Sequence, residues 1–512
     1  MLKVIALFLA VIGTGHSSAQ TIHFTKGDPV SIPKDLKIAL PIESDSTGYY
    51  ILKTDRRSDK RVKNCQLIKF NFSQKSIYQV PFMFKEPVAI VGAFNRNNCV
   101  YLLYQIQDNK RERAYLEIKI IDALSGFQID ETRRLQEVEI KANVGVKNKL
   151  FHVNFSPDGK TMSVVSTESL RKGMGLLART YDPTNNFRQI WEKELEKDFN
   201  AFPIHVFEYS LDNHKNLFYL FRYGNTNAQA YGLSVIAGQT AKSKIISMYV
   251  PHERTFVYAH LCNVNNETVC SGEFFDGGDR TLLTSNFATS GFFLLTLDPE
   301  KLNIRSKSYD YFTDEVLKGF NYRDKIYKAQ GIPSQNKLLR HYAVLHSDSG
   351  YYAINYHGYD FISELNGEAS DYLVSQEIIV AKYNSLNKVE WMKLIPRKNI
   401  GPSHYLSSTL KGSTLNLYYY EIEENIAKYP DISTQNYGNT KWLKLDKNDF
   451  VIVCASLDKN GNITRRIVDK QKGMQLLMDY PESSVKADNS VIIDADINSR
   501  GRLQTGLIKA VE

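Results

Sequence analysis

Short apolar runs and brief polar turns alternate along this 512-residue chain, and one arrangement keeps returning: an apolar strand, an Asp- or Asn-led turn, a second strand. It is sharpest in FFLLTLDPEKLNIRSKSY (292–309), IIVAKYNSLNKVEWMKLI (378–395) and VIVCASLDKNGNITRRIV (451–468). Weaker copies are LIKFNFSQKSIYQV (67–80), EIKIIDALSGFQID (117–130), LLARTYDPTNNFRQIW (176–191) and GLSVIAGQTAKSKIISM (232–248). The runs are rich in Val, Ile, Tyr and Phe and are bounded by Gly, Asn, Asp and Pro, which is the signature of strands. A hairpin that recurs through a chain indicates a repeat architecture. Helical periodicity is nearly absent, with one exception at TDEVLKGF (313–320).

Upstream of each hairpin lie two more extended segments, such as PVAIVGAF (87–94) with CVYLLYQI (99–106), PIHVFEYS (203–210) with LFYLFRYG (217–224), and HYLSSTLK (404–411) with TLNLYYYEI (414–422). Each unit therefore reads as four strands, A to D, in a meander. Second strands are expected near 49–54, 97–106, 161–168, 216–223, 268–275, 350–356, 414–422 and 490–497. The last unit ends after its third strand, LQTGLIKAV (503–511), and TIHFTKG (21–27) can supply the fourth. The pattern predicts an all-β fold: a single β-propeller of four-stranded blades, eight in number with seven as the alternative, its ring closed by N- and C-terminal strands. Such closure removes the exposed sheet edges of an open array. No Pro/Ser/Gly linker divides the chain, so residues 20–512 read as one propeller domain.

FSPDGKTMSVVS (155–166) resembles the SPDGK signature of TolB-type, WD40-like propeller repeats. In that family the motif is the turn between the first and second strands of a blade, and here it falls between HVNF (152–155) and MSVVST (162–167). Pro157 fixes φ, and Asp158-Gly159 is a strong hairpin turn. The resemblance implies a propeller in an envelope setting and implies no activity. The N-terminus and the style of repeat are also similar to uncharacterised exported propellers of Bacteroidota.

Composition adds a compartment. Residues 1–19 have the form of a secretory signal: Lys3, the apolar core VIALFLAVIG, and SSA before Gln20. The apolar run is too short to span a bilayer, and no later segment approaches that length, so the mature chain is expected to be exported (periplasm, cell surface or medium) with no transmembrane segment. Five Cys are too few for a disulfide scaffold. Cys262 and Cys270 flank NVNNETV and are a candidate bridge across a hairpin; Cys65 and Cys99 are a second, weaker pair. The net charge of +8, one unit of which is Lys3 in the leader, is far from the footprint of a nucleic-acid binder.

The usual catalytic motifs do not occur: no G-x-S-x-G, H-E-x-x-H, P-loop or C-x-x-C. No cofactor is implied and no metal ligand set is assigned, since DKNGN (458–462) fits a hairpin turn and DADIN (494–498) a strand. Meander topology puts the B–C and D–A connections on one face of the disc and the A–B and C–D turns on the other. The long insertions, 310–340, 357–376 and 423–449, all belong to the first face, and long loops on a rigid scaffold concentrate function. Their candidates for binding are His357, Tyr359, Asp360 and Glu364, then Glu421, Tyr429 and Trp442: aromatic faces beside carboxylates suit sugar rings or a peptide. The basic runs DRRSDKRVK (55–63) and DNKRERAY (108–115) place Arg56, Arg57 and Arg111 in the opposite sector of that face. The expected function is therefore a non-enzymatic propeller that binds a protein or glycan of the cell envelope through its loop-rich face. The alternative is a carbohydrate-active enzyme, a glycoside hydrolase or lyase, using carboxylates at the channel mouth.

Overall fold

The computed structural model describes residues 21–36, 38–55, 61–140, 150–170, 173–196, 198–199, 202–225, 228–248, 254–276, 289–320, 339–365, 368–401, 406–428, 443–444, 450–469, 484–485, 490–497 and 502–511. The strands form seven sheets, and the seven-stranded one is two units that share the long strand Ser76–Arg96. Eight antiparallel meanders result, arranged as the blades of a propeller. Blade one is Ile38–Ile42, Tyr49–Thr54, Val62–Phe70 and the first half of Ser76–Arg96; blade two is the second half of that strand, then Cys99–Asp108, Arg113–Asp122 and Arg133–Glu139. Blade three is Phe151–Phe155, Met162–Leu170, Gly173–Asp182 and Arg188–Glu194; blade four is Phe202–Leu211, Leu217–Asn225, Ala228–Ile236 and Ser243–Ile246. Blade five is Arg254–Val264, Glu267–Asp276, Gly291–Asp298 and Asn303–Tyr311; blade six is Leu339–Ser347, Gly350–Leu365, Glu368–Asn384 and Val389–Ile395. Blade seven is Leu406–Lys411, Thr414–Glu421, Val451–Leu457 and Ile463–Asp469. Blade eight is Ser484–Val485, Ser490–Ile497, Arg502–Val511 and, from the other end of the chain, Thr21–Lys26. All eight B strands begin within two residues of their expected starts.

Why the strands look as they do in sequence follows from the radial arrangement. A blade's middle strands are covered on both faces by neighbouring blades, so Tyr49–Thr54 and Val451–Leu457 are buried at every position and read as continuous apolar runs. The outermost strand has one open side, and Asn303–Tyr311 alternates exposed and half-buried positions along much of its length. Between blades lie separate apolar clusters. One joins blades four and five through Phe218, Leu233, Phe256, Phe274 and Phe293, and each such fully buried side chain contributes about 1.5–3 kcal/mol.

The ring is closed by both termini, as the sequence predicts. Thr21–Lys26 pairs with Arg502–Val511 from Thr21 opposite Val511 to Lys26 opposite Gly506. The joint continues into blade one: the Tyr49 hydroxyl lies 2.6 Å from Gln74 Oε1 and 2.9 Å from Thr505 Oγ1. On the A–B face, turn residues link successive blades. Asn97 Nδ2 donates to Gly159 O (2.9 Å), Asp158 N to Asn213 Oδ1 (3.0 Å), Asn213 Nδ2 to Asn266 Oδ1 (3.1 Å), and Asn265 Nδ2 lies 3.3 Å from His346 Nδ1. Along the inner A strands, Glu208 of blade four accepts the Leu261 N–H (2.6 Å) and lies 2.8 Å from His260 Nδ1, and the His260 ring stacks on His341 of blade six at 4.2 Å.

SPDGK is the A–B turn of blade three: Gly159 has φ +68° and its N–H donates to Ser156 O at 2.9 Å. Asp458, in the DKNGN string, caps its own turn by accepting the N–H groups of Asn460 and Asn462. Residues 314–320 are helical.

Three expectations are corrected. The hairpin read at 117–130 makes only one bridge, Ile121 opposite Gln128, because Asp122 ties the chain into a turn by accepting the N–H groups of Leu124 and Ser125; the fourth strand comes later, at Arg133–Glu139. Cys262 and Cys270 are free thiols. Asn265 and Asn266, with φ +50° and +63°, form a two-residue turn that sets Val264 opposite Glu267; Cys262 thus faces Val269, and Cys270 faces Leu261. The two sulfurs belong to opposite faces of the sheet, Cys270 in the core shared with blade four and Cys262 against the core shared with blade six. Cys65 and Cys99 are likewise free.

Candidate functional site

The B–C and D–A connections of blades six and seven carry the richest chemistry on the face that the sequence singles out. Segment 357–376, expected as a polar loop, is mostly regular strand. Strands B and C of blade six run on past a bulge at Tyr356/Gly358 and pair from Gly358 opposite Ser375 to Leu365 opposite Glu368. Register sets Tyr359 opposite Val374, Phe361 opposite Tyr372 and Leu365 opposite Glu368 on one face, and Asp360 opposite Leu373, Ile362 opposite Asp371 and Glu364 opposite Ala369 on the other, so apolar and acidic positions occur on both. Asn399–Gly401 adds to the hairpin antiparallel, beside Leu373–Ser375, and Leu443–Lys444 adds to Asn399–Gly401 in parallel. A four-stranded wall built from both blades results.

Buried charge anchors the base of the wall. His357, expected nearer the surface, is 1% exposed, and its Nδ1 lies 3.1 Å from Glu377 Oε2. Arg397 and Lys398, on the D–A connection into blade seven, are also buried. Burial pushes the Lys398 ammonium down to about 8, against the opposing pull of Glu421 and Glu377. Glu421, at the end of strand B of blade seven, accepts the Ile422 N–H (2.9 Å) and Asn425 Nδ2 (2.8 Å). Burial raises its carboxyl, while those hydrogen bonds and the cations Arg465 and Arg397 lower it. Asn425 is presented by the short helix Glu423–Lys428. Two carboxylates, three cations and an imidazole are thus interlinked beneath the wall. Charges taken from water persist only when paired in this way.

Of the residues expected to form a binding face, His357 and Glu421 come together in this network. Tyr359, Asp360 and Glu364 lie on the hairpin that it anchors. Arg111 is exposed in the B–C turn of blade two, 3.7 Å from Asp108, in the opposite sector. Arg56, Arg57, Tyr429 and Trp442 lie outside the described residues. Glu377, Arg397, Lys398 and Arg465 were not singled out by the sequence: they sit in or beside apolar strands, where polarity alone gives no sign of burial.

No protein-family model matches the sequence, and a search of curated proteins finds no match. Among solved structures the chain is similar to the polysaccharide lyase Uly1, at 10% identity over 94% of this chain and 100% of that one, with a TM-score of 0.40. It is similar to dipeptidyl peptidase 4 of Porphyromonas gingivalis, at 11% identity over 90% of this chain and 58% of that one, TM-score 0.42. It is also similar to the β-propeller domain of the Trilobed protease from Pyrococcus furiosus, at 9% identity over 70% of this chain and 95% of that one, TM-score 0.32.

Proposed function

We propose that this chain is an exported, non-enzymatic propeller that binds a protein or glycan of the cell envelope through the B–C/D–A face, with the wall over blades six and seven as its gripping element. The observation that carries this reading is the paired hairpin 358–375, which takes strands B and C of blade six beyond the blade and, with Asn399–Gly401 and Leu443–Lys444, builds the four-stranded wall. Aromatic and acidic residues interleaved along such a projecting hairpin suit ring stacking together with hydrogen bonding to a polar partner. His357–Glu377 and the Glu421–Asn425 pair support the reading because they hold both sides of the ridge's root in fixed hydrogen bonds. To test it, residues 359–374 are replaced by a two-glycine turn, and retention of envelope protein and envelope glycan fractions on the immobilised protein is compared with wild type. Loss of retention with an unchanged melting temperature supports the reading; equal retention refutes it.

One observation favours a carbohydrate-active enzyme as the second reading: a lysine that sheds its proton near pH 8, within charge reach of two carboxylates. A neutral amine at that pH can take a proton in an elimination. Turnover of acidic polysaccharides, followed by ultraviolet absorbance of unsaturated products and by reducing ends, decides between the two. Activity that Lys398→Met abolishes would replace the binding reading.

A further inference from the structure

A crevice opens on the opposite face of the disc. It lies between blades five and six, where the A–B and C–D turns emerge, and has a volume of about 320 Å³. That is at the small end of the range for ligand pockets. Its floor is made of groups that satisfy one another. Arg305 Nη2 donates to Glu267 Oε1 at 2.6 Å, and the Tyr351 hydroxyl donates to Glu267 Oε2. Burial alone would raise the Glu267 carboxyl, yet Tyr351 and Arg305 hold it below its ordinary value. The ion pair is neutral in sum, and Arg305, whose side chain is 46% exposed, keeps further N–H groups that can donate to hydroxyl oxygens.

The wall is different. Strand A of blade six ends at Ser347, and the chain turns through Asp348 and Ser349 to Gly350. Gly350 has φ +128°, and a Cβ there would stand 2.1 Å from Tyr383 O, so the turn is pinned tightly to strand C. Asp348 is held at the lip of the crevice, and among the described residues its carboxylate has no hydrogen-bond or ion-pair partner. The His346 ring, placed by its 3.3 Å contact with Asn265 and edge-on to Tyr351 at 5.0 Å, lines the same wall. Leu386, 74% exposed, supplies an apolar rim from the C–D turn.

We propose that this crevice binds a single neutral sugar residue. An unengaged carboxylate at the lip accepts hydrogen bonds from vicinal hydroxyls. The imidazole offers a further polar contact, and Leu386 gives the carbon-bound hydrogens of the ring a surface. An anionic ligand would meet Asp348 beside an arginine already neutralised. A cation would find one carboxylate free and the other engaged. The site goes beyond the binding face above, shares no residue with it, and stands or falls separately.

The test is saturation-transfer NMR and calorimetry on the full mature chain, using the methyl glycosides of glucose, galactose, mannose, rhamnose and N-acetylglucosamine, with glucuronate and lysine as charged probes. The expected result is saturable binding of at least one neutral glycoside, with a Kd on the order of 1 mM. Asp348→Ala, whose side chain is exposed and unpaired, should weaken it by about tenfold or more, the size of a lost charge-assisted hydrogen bond, with an unchanged melting temperature. The protein lacking 359–374 should bind as wild type does. Failure of every neutral glycoside to bind, tighter binding of glucuronate or lysine, or full affinity in Asp348→Ala would each overturn the proposal.

Discussion

Lys398 gives the sharpest physical prediction. The side chain is buried, and its ammonium is pushed down to about 8, whereas an unfolded lysine titrates near ~10.4. That gap corresponds to about 3 kcal/mol by linkage. Below pH 8 both states carry the proton, and the native state bears the whole cost of a buried cation. Between pH 8 and about 10.4 the native state has lost the proton while the unfolded chain keeps it, so this group makes stability rise with pH. Above about 10.4 neither state is protonated and the cost is gone. Methionine is similar in volume and uncharged. Lys398→Met should therefore be more stable than wild type by up to about 3 kcal/mol at pH 7, with the advantage shrinking toward zero near pH 10.5. Urea unfolding of both proteins at the two pH values measures the difference, in which the tyrosines common to both cancel. If Lys398 instead holds the network as an indispensable cation, the variant loses about 3–5 kcal/mol at pH 7. That outcome, or a difference that does not change with pH, would refute the reasoning.

Three further outcomes follow from the fold. Deleting residues 20–27 removes six register pairs from blade eight, on the order of 5 kcal/mol in a protein whose total stability is of similar scale; hydrogen exchange should show lost protection over 490–511 first. Glu208→Ala leaves the Leu261 N–H and the His260 ring without their acceptor and should cost about 2 kcal/mol by thermal melting, while Glu208→Gln recovers most of it. All five thiols are free, and burial pushes those of Cys65, Cys262 and Cys454 up to about 12. Alkylation without reductant should leave these three unmodified in the native protein and add five groups after unfolding.

The architecture was legible because a blade's middle strands are covered on both sides, which writes continuous apolar runs into the sequence. The closing strand was legible because the last unit lacked a partner for Arg502–Val511. What was missed depends on parity and burial. Cys262 and Cys270 look symmetric about NVNNETV, but a two-residue turn makes opposed positions sum to an odd number, so residues eight apart cannot face each other. The hairpin 358–375 reads as a loop because aromatic and acidic residues interleave along its sequence in place of an unbroken apolar run. His357 and Glu377 are twenty residues apart, and only the register of that hairpin brings them to 3.1 Å. Arg397 and Lys398, in IPRKNIG, have the composition of an ordinary connection, and nothing in composition records that a charge is covered. The asparagine turns were readable as turns, but their bonds from blade to blade appear only once the ring closes.

The central claim is that the ridge over blades six and seven grips a polymer of the envelope. Its most direct measurement is retention of envelope protein and glycan fractions on the immobilised mature chain, with and without residues 359–374. The account predicts that one fraction is retained by the intact protein and released by the deletion, with the melting temperature unchanged. Retention that is absent in both, or equal in both, contradicts it.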